Sequence, residues 1–137
     1  MNIPVIVYGT LKRGYPNYDE FRLARFFQGE VATLEAYPLC VAGPWYSPVV
    51  FDEPGTGVSF HGELLFVDEA TLTWLDQLEG LGQPGGYHRR QITVSSETIP
   101  ATNAWCYMKH RANVSPVHLQ DLDCYLDRRY IPRHKRT

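Results

Sequence analysis

VYGTLKRG, residues 7–14, decides how the N-terminal part of the chain is read. The apolar, β-branched run Ile3 to Tyr8 breaks at Gly9 into a hydroxyl and two cations, so a strand ends there and the backbone turns. A glycine at a strand end lets backbone amides approach a ligand, and successive amides form an anion-binding nest. The stretch is either an ordinary turn or the floor of a binding site. Lys12 and Arg13 either attract an anionic substrate or are solvated at a loop end. The spacing is not G-x-x-x-x-G-K-[ST], and Pro16-Asn17 intervene before the next helical pattern, which argues against a nucleotide P-loop.

Working outward, Tyr18 to Gln28 carries Leu23, Ala24 and Phe27 on one helical face and stops at Gly29. Val31 to Phe51 is rich in strand formers but punctuated by Pro38, Gly43-Pro44 and Pro48, which suits short edge strands and turns. Asp52-Glu53-Pro54-Gly55 reads as a turn, and Val58 to Val67 as a long alternating strand. Asp68 is an N-cap for a helix from Glu69 to Glu79, and Gly80 follows as its C′ residue. Tyr87 to Ser96 and Asn103 to Met108 predict two more strands. Ser115-Pro116 opens a last expected helix with Leu119, Leu122 and Leu126 at spacings of three and four, ending before Pro132. The pattern predicts an α+β fold: a small mixed, mainly antiparallel, β-barrel-like sheet with two or three flanking helices.

With 137 residues, 44% of them hydrophobic and 20% charged, the chain suits one globular domain spanning residues 1–137. A net charge of −2, with no basic stripe interleaved with aromatics, argues against nucleic acid as a partner. Basic residues gather only near the end, at Arg128, Arg129, Arg133, Lys135 and Arg136, as a phosphate-binding tail or a solvated terminus. Three cysteines without C-x-x-C spacing and five histidines without H-x-H or H-E-x-x-H argue against a disulfide framework and a metal site. No run reaches the roughly 18 apolar residues of a membrane span, and the expected location is a reducing cytoplasm. Gly80-Leu81-Gly82-Gln83-Pro84-Gly85 satisfies G-x-G-x-x-G but follows a helix instead of a strand, so it reads as a flexible loop.

The helix ending at Glu79 holds the second informative position. At 100° per residue Glu79 falls about 20° from Leu72 and about 40° from Leu75, on the stripe that faces the core. Burial and the negative end of the helix dipole both disfavour its ionised form, which is the environment of a general base working near neutral pH. The alternative is that the helix frays and Glu79 turns to solvent, or pairs with Arg89 or Arg90. Asp76, three residues earlier, is too close to Glu79 for the two carboxylates to flank a glycosidic bond, and reads as a surface or capping partner.

Taken together, VYGTLKRG with Pro16-Asn17, Tyr37-Pro38-Leu39, Pro48, Gly62-Glu63-Leu64, Leu75-Asp76-Gln77-Leu78-Glu79-Gly80 and Tyr87-His88-Arg89-Arg90 resemble the γ-glutamylcyclotransferase superfamily. They resemble in particular its small γ-glutamylamine cyclotransferase, or AIG2-like, branch. These motifs keep the family's order over about three quarters of the chain. The resemblance implies that Tyr8, Gly9, Thr10 and Leu11 hold the glutamyl part of a substrate and that Glu79 is the catalytic acid/base. It implies a reaction in which the α-amine of a γ-glutamyl amine closes on its own γ-carbonyl, giving 5-oxoproline and the free amine, without metal, nucleotide or other cofactor. Tyr87 and Tyr107 are candidates to line the pocket or to pack in the core, and the glycine-rich loop 80–86 is a candidate lid. The alternative is a non-catalytic module that binds a small carboxylate in the same pocket.

Overall fold

The computed structural model describes residues 2–136, apart from the side chains of Pro16 and Arg133. Met1 and Thr137, the limits of the expected domain, lie outside the described residues. The strand that begins the chain is Ile3–Val7 (β1). It is followed by the short helix Pro16–Glu20 (α1) and the strands Phe27–Thr33 (β2), Leu39–Ala42 (β3), Ser47–Val50 (β4) and His61–Val67 (β5). Helix Glu69–Leu78 (α2) precedes the strands His88–Ser95 (β6), Thr102–Met108 (β7) and Val117–Leu119 (β8).

Five strands close into a barrel in the order β1-β5-β2-β6-β7. Every pair is antiparallel except β1 with β7, joined at Val5 and Trp105. This is the mixed, mainly antiparallel, barrel-like sheet expected of the sequence, and closure leaves it no open edge to mispair. Alternation along the strands sorts the side chains into two cores. Ile6, Val31, Leu64, Val94, Ala104, Cys106 and Met108 meet in one. Residues of the opposite parity, Val5, Val7, Leu65 and Val67, meet Leu75 of α2 in the other. Both faces of β5 are thus buried, one inside the barrel and one beneath the helix.

Gly62 makes the β1–β5 seam possible. A Cβ there would lie 2.7 Å from the carbonyl oxygen of Val7 and 2.9 Å from Ile6 Cγ1, closer than packed carbon atoms tolerate. Helix α2 starts where the sequence predicts, with the Asp68 carboxylate accepting the Thr71 N–H at 2.7 Å. Its regular turns end at Leu78, one residue short of expectation, leaving Glu79 as the C-cap.

Two expected helices differ. The pattern over Tyr18–Gln28 is broken at Arg22, whose φ of 56° is left-handed; a 3₁₀ turn follows at Leu23–Phe26, and Phe27 pairs with Leu65 instead of extending a helix. Pairing to β5 overrides the local periodicity. The helix expected after Pro116 is absent: Val117–Leu119 pairs with β3, extending a second sheet of order β4-β3-β8. The amide of Leu122 donates to Leu39 O at 2.9 Å, and Asp123 O accepts the His61 amide at 2.7 Å. Leu126 is 71% exposed, so the leucine spacing there marks no buried stripe. Among the described residues no helix is long and apolar enough to cross a membrane.

Candidate active site

The strand β1 delivers Tyr8 to the barrel's end. Its hydroxyl donates to the Tyr107 carbonyl at 2.7 Å and accepts the Val50 amide at 3.3 Å, joining three strands at one atom. Burial first, then the nearby Tyr87, Cys106 and Glu79, push this hydroxyl well above its ordinary range, so it stays a donor at physiological pH.

Gly9 begins the loop by lying against the Pro48 ring, where an added Cβ would overlap Pro48 Cγ and come within 2.7 Å of its Cβ. Gly9→Ala is expected to push the loop off Pro48 and lower kcat/KM by about 10- to 100-fold, because small misplacements of a positioning element carry costs of that order. Steady-state kinetics of turnover checks this; an unchanged kcat/KM would show that the close approach serves packing only.

Three contacts fix the rest of the loop. The buried Glu63 carboxylate accepts the Arg13 amide at 2.8 Å. Lys12, also buried, donates to the Tyr125 carbonyl at 2.9 Å, and Asn17 Nδ2 donates to Thr10 Oγ1 at 3.0 Å. Lys12 is therefore a structural staple and not a solvated cation. Arg13 stacks over the Phe27 ring at 4.0 Å and faces Glu63 and Glu30. The amides of Thr10 and Leu11 make no protein hydrogen bond among the described residues.

Glu79 enters from the other side, half-buried at the end of α2, with its own amide bonded to Leu75 O at 2.9 Å. Loop 80–86 leaves the helix and returns at once: Gln83 N–H donates to Gly80 O, Gly86 N–H to Gln83 O and Tyr87 N–H to Glu79 O, all near 3 Å. Gly80 requires glycine, with φ of 68°, and Gly86 sits so close to the Gly80 carbonyl that no Cβ fits. The loop is folded on itself, with Gly85 and Gly86 on the cavity wall.

Tyr87 donates from its hydroxyl to Pro48 O at 2.7 Å, tying the start of β6 to β4, and its ring lies 4.4 Å beneath Lys109 Nζ. Burial, then the charge of Glu79, push its hydroxyl well above the ordinary value. The Tyr107 hydroxyl donates to Asp76 Oδ1 at 2.7 Å, and Asp76 also accepts from Arg89 Nε at 2.9 Å and Nη2 at 3.2 Å. Burial and the Asp76 bond raise Tyr107 in turn, with Glu79 contributing. Asp76 is thus not a surface or capping residue: its side chain is 17% exposed and joins α2 to β6 and β7. Arg89 and Arg90 are engaged with Asp76 and Asp52 respectively.

These groups surround one cavity of about 380 Å³. Tyr8, Gly9, Thr10, Leu11, Glu79, Tyr87 and Tyr107 all lie on its wall, so the two separated sequence motifs meet there. A phosphate-sized ligand would leave most of this volume empty; it is at the low end of pockets that take small organic molecules. Among the described residues no three His, Cys, Asp or Glu gather as metal ligands.

Sequence reasoning missed several wall residues. Asn17 and Pro48 were visible as motif members without a role, and Lys109 follows Tyr107 at strand spacing and so shares its side. The C-terminal residues Tyr130, Pro132, His134 and Arg136 also line the cavity, with no periodicity to announce them. The basic tail folds back onto the protein. Arg128 donates to Gly14 O at 2.9 Å and stacks on Tyr15, Arg129 pairs with Asp127 and stacks on Tyr46, and Arg136 stacks on Trp45. Arg133, counted with that tail, lies outside the described side chains.

Residues 5–128 match the family described as gamma-glutamyl cyclotransferase, AIG2-like. A gamma-glutamylaminecyclotransferase from Bos taurus is 38% identical over 97% of this chain and 84% of its own length. The human protein of the same name is 36% identical, over 96% of this chain and 98% of its own. The crystal structure of an AIG2-like protein from Mus musculus superposes with a TM-score of 0.84 at 30% identity, covering 98% of this chain and 99% of that one.

Proposed function

The chain belongs to the AIG2-like gamma-glutamyl cyclotransferase family, and we propose that it converts a γ-glutamyl amine to 5-oxoproline and the free amine, with Glu79 as general acid/base. The observation that carries this reading is the meeting of the Gly9–Leu11 loop and Glu79 on one cavity wall, across some seventy residues of sequence. In the reaction the substrate's α-nitrogen forms a bond to its own γ-carbonyl carbon, and the bond from that carbon to the leaving nitrogen breaks. Nucleophile and electrophile share one molecule, so the site has chiefly to hold the glutamyl chain folded, where effective concentrations reach on the order of 10⁵ M.

The α-amine arrives as an ammonium and cannot attack until it loses a proton. Glu79 takes that proton and returns it to the leaving nitrogen; the second proton, shed as the α-nitrogen becomes the lactam N–H, goes to the departing amine, which leaves as an ammonium, so no proton is gained or lost overall. The Thr10 and Leu11 amides, without a hydrogen bond among the described residues, are donors for the α-carboxylate or for the oxyanion that develops on the γ-carbonyl. Tyr8 and Tyr87 stay protonated, so they shape the wall without competing for the proton. All of this rests on protein groups and substrate alone. The free thiols of Cys40, Cys106 and Cys124 fit our placement of the chain in a reducing cytoplasm, and the two sheets' shared packing fits a single domain.

The test is a panel of γ-glutamyl compounds, γ-glutamyl-ε-lysine included, assayed for 5-oxoproline and released amine in equal amounts. Stoichiometric release is the expected result. Calorimetric binding of glutamate-like ligands without any product from the panel would assign the pocket to a binding module instead.

A further inference from the structure

Beside the Gly9–Leu11 loop and Glu79, the cavity wall includes the chain's last described residues, whose backbone is pinned where Ile131 N–H donates to Trp45 O at 3.0 Å. Arg136 ends this stretch: its Nε donates back to Ile131 O at 2.9 Å, and its guanidinium lies 4.3 Å from the centre of the Trp45 ring. Resting on the cyclotransferase reading, we propose that this stretch of wall is the subsite of the leaving amine and that Arg136 selects amines whose chain carries a carboxylate.

A guanidinium resting over an indole and tied at Nε has lost much of its rotational freedom and keeps its two terminal nitrogens as a fork. Among the described residues those two nitrogens make no hydrogen bond. That fork matches a carboxylate in a bidentate pair, which a freely rotating lysine would not. Lys109, held over Tyr87, and His134 lie on the same wall. The acids on the wall are Glu79 and the exposed Glu20. A departing amine that ends in a second cation is repelled by Arg136; one that ends in a carboxylate is paired. Glu79 pushes the Tyr87 hydroxyl up and Arg136 pulls it down, so both charges act on one residue of the cavity wall.

Two matched compounds isolate the claim: the γ-glutamyl conjugate of 6-aminohexanoate, and that of n-pentylamine, which lacks only the carboxylate. The wild-type chain is expected to prefer the first by about 10- to 100-fold in kcat/KM, the usual worth of a hydrogen-bonded charge pair. Arg136→Gln, which keeps a planar donor without the charge, should bring the ratio near one, mainly through KM; Arg136→Lys should keep part of it. Thermal melts of each variant report on the packing around Arg136 separately. A wild-type ratio near one, or a ratio unchanged in Arg136→Gln, overturns the assignment. So does an equal fall for both compounds, which would place Arg136 beside the glutamyl group. Absence of turnover for both compounds and for γ-glutamyl-ε-lysine would defeat the cyclotransferase reading itself, and this inference with it.

Discussion

Glu79→Gln is expected to abolish turnover of every γ-glutamyl amine, with kcat falling by about 10²- to 10⁴-fold, the range supplied by a positioned acid/base. The amide is nearly isosteric with the carboxylate but cannot take the proton that holds the α-amine inactive. Because Glu79 sits at a helix C-cap and is only half-buried, the substitution leaves the strands and α2 unaltered. Circular dichroism and the melting temperature should therefore match the wild type while 5-oxoproline disappears. Binding of glutamate-like ligands should survive, since the loop amides are untouched. Activity within threefold of wild type would remove Glu79 from the mechanism.

Asp76→Ala should produce the largest loss of stability. It deprives Arg89 of both hydrogen bonds and leaves the Tyr107 hydroxyl without its acceptor, in surroundings where the two charged side chains are only 22% and 17% exposed. Breaking a buried pair from one side strands the other charge, and with partial exposure the cost is about 2–3 kcal/mol. For a chain of this size that is a drop of roughly 6–12 °C in Tm. Removing the stranded cation as well, in Asp76→Ala/Arg89→Met, should recover part of the loss, because the penalty comes from the unpaired charge. A single variant melting within 2 °C of wild type would show that the network carries little.

The carboxylate at 79 was legible because helix geometry is local: a residue seven places from Leu72 and four from Leu75 must share their side of α2. Gly9 was legible because glycine punctuates strands. What could not be read were roles set by partners far away in sequence. Asp76 looks like an ordinary polar flank until Arg89 and Tyr107 arrive from two strands. Lys12 carries no local sign that it is buried, since its acceptor lies 113 residues on. The two helical patterns that failed, over Tyr18–Gln28 and after Pro116, failed for one reason: their backbone amides found better partners on neighbouring strands than within the segment. The tail over the cavity has neither alternation nor helical period, so only the folded chain reveals it.

The pairing of β1 with β7 also governs how the molecule comes into being. Closing the ring requires Val5 to find Trp105, and the loop staple requires Lys12 to find Tyr125, so the decisive contacts span most of the chain. Such long loops are entropically costly to close before their contacts reward them, which puts folding in the slow, millisecond-to-second class of β-rich domains. The cavity has no precursor in a shorter stretch of the chain, because its wall combines residues 8–11 with residues 130–136. Amide exchange at Lys12 and Arg13, whose N–H groups donate to Gly9 O and to Glu63, should accordingly be slowed only once residues beyond 125 are in place.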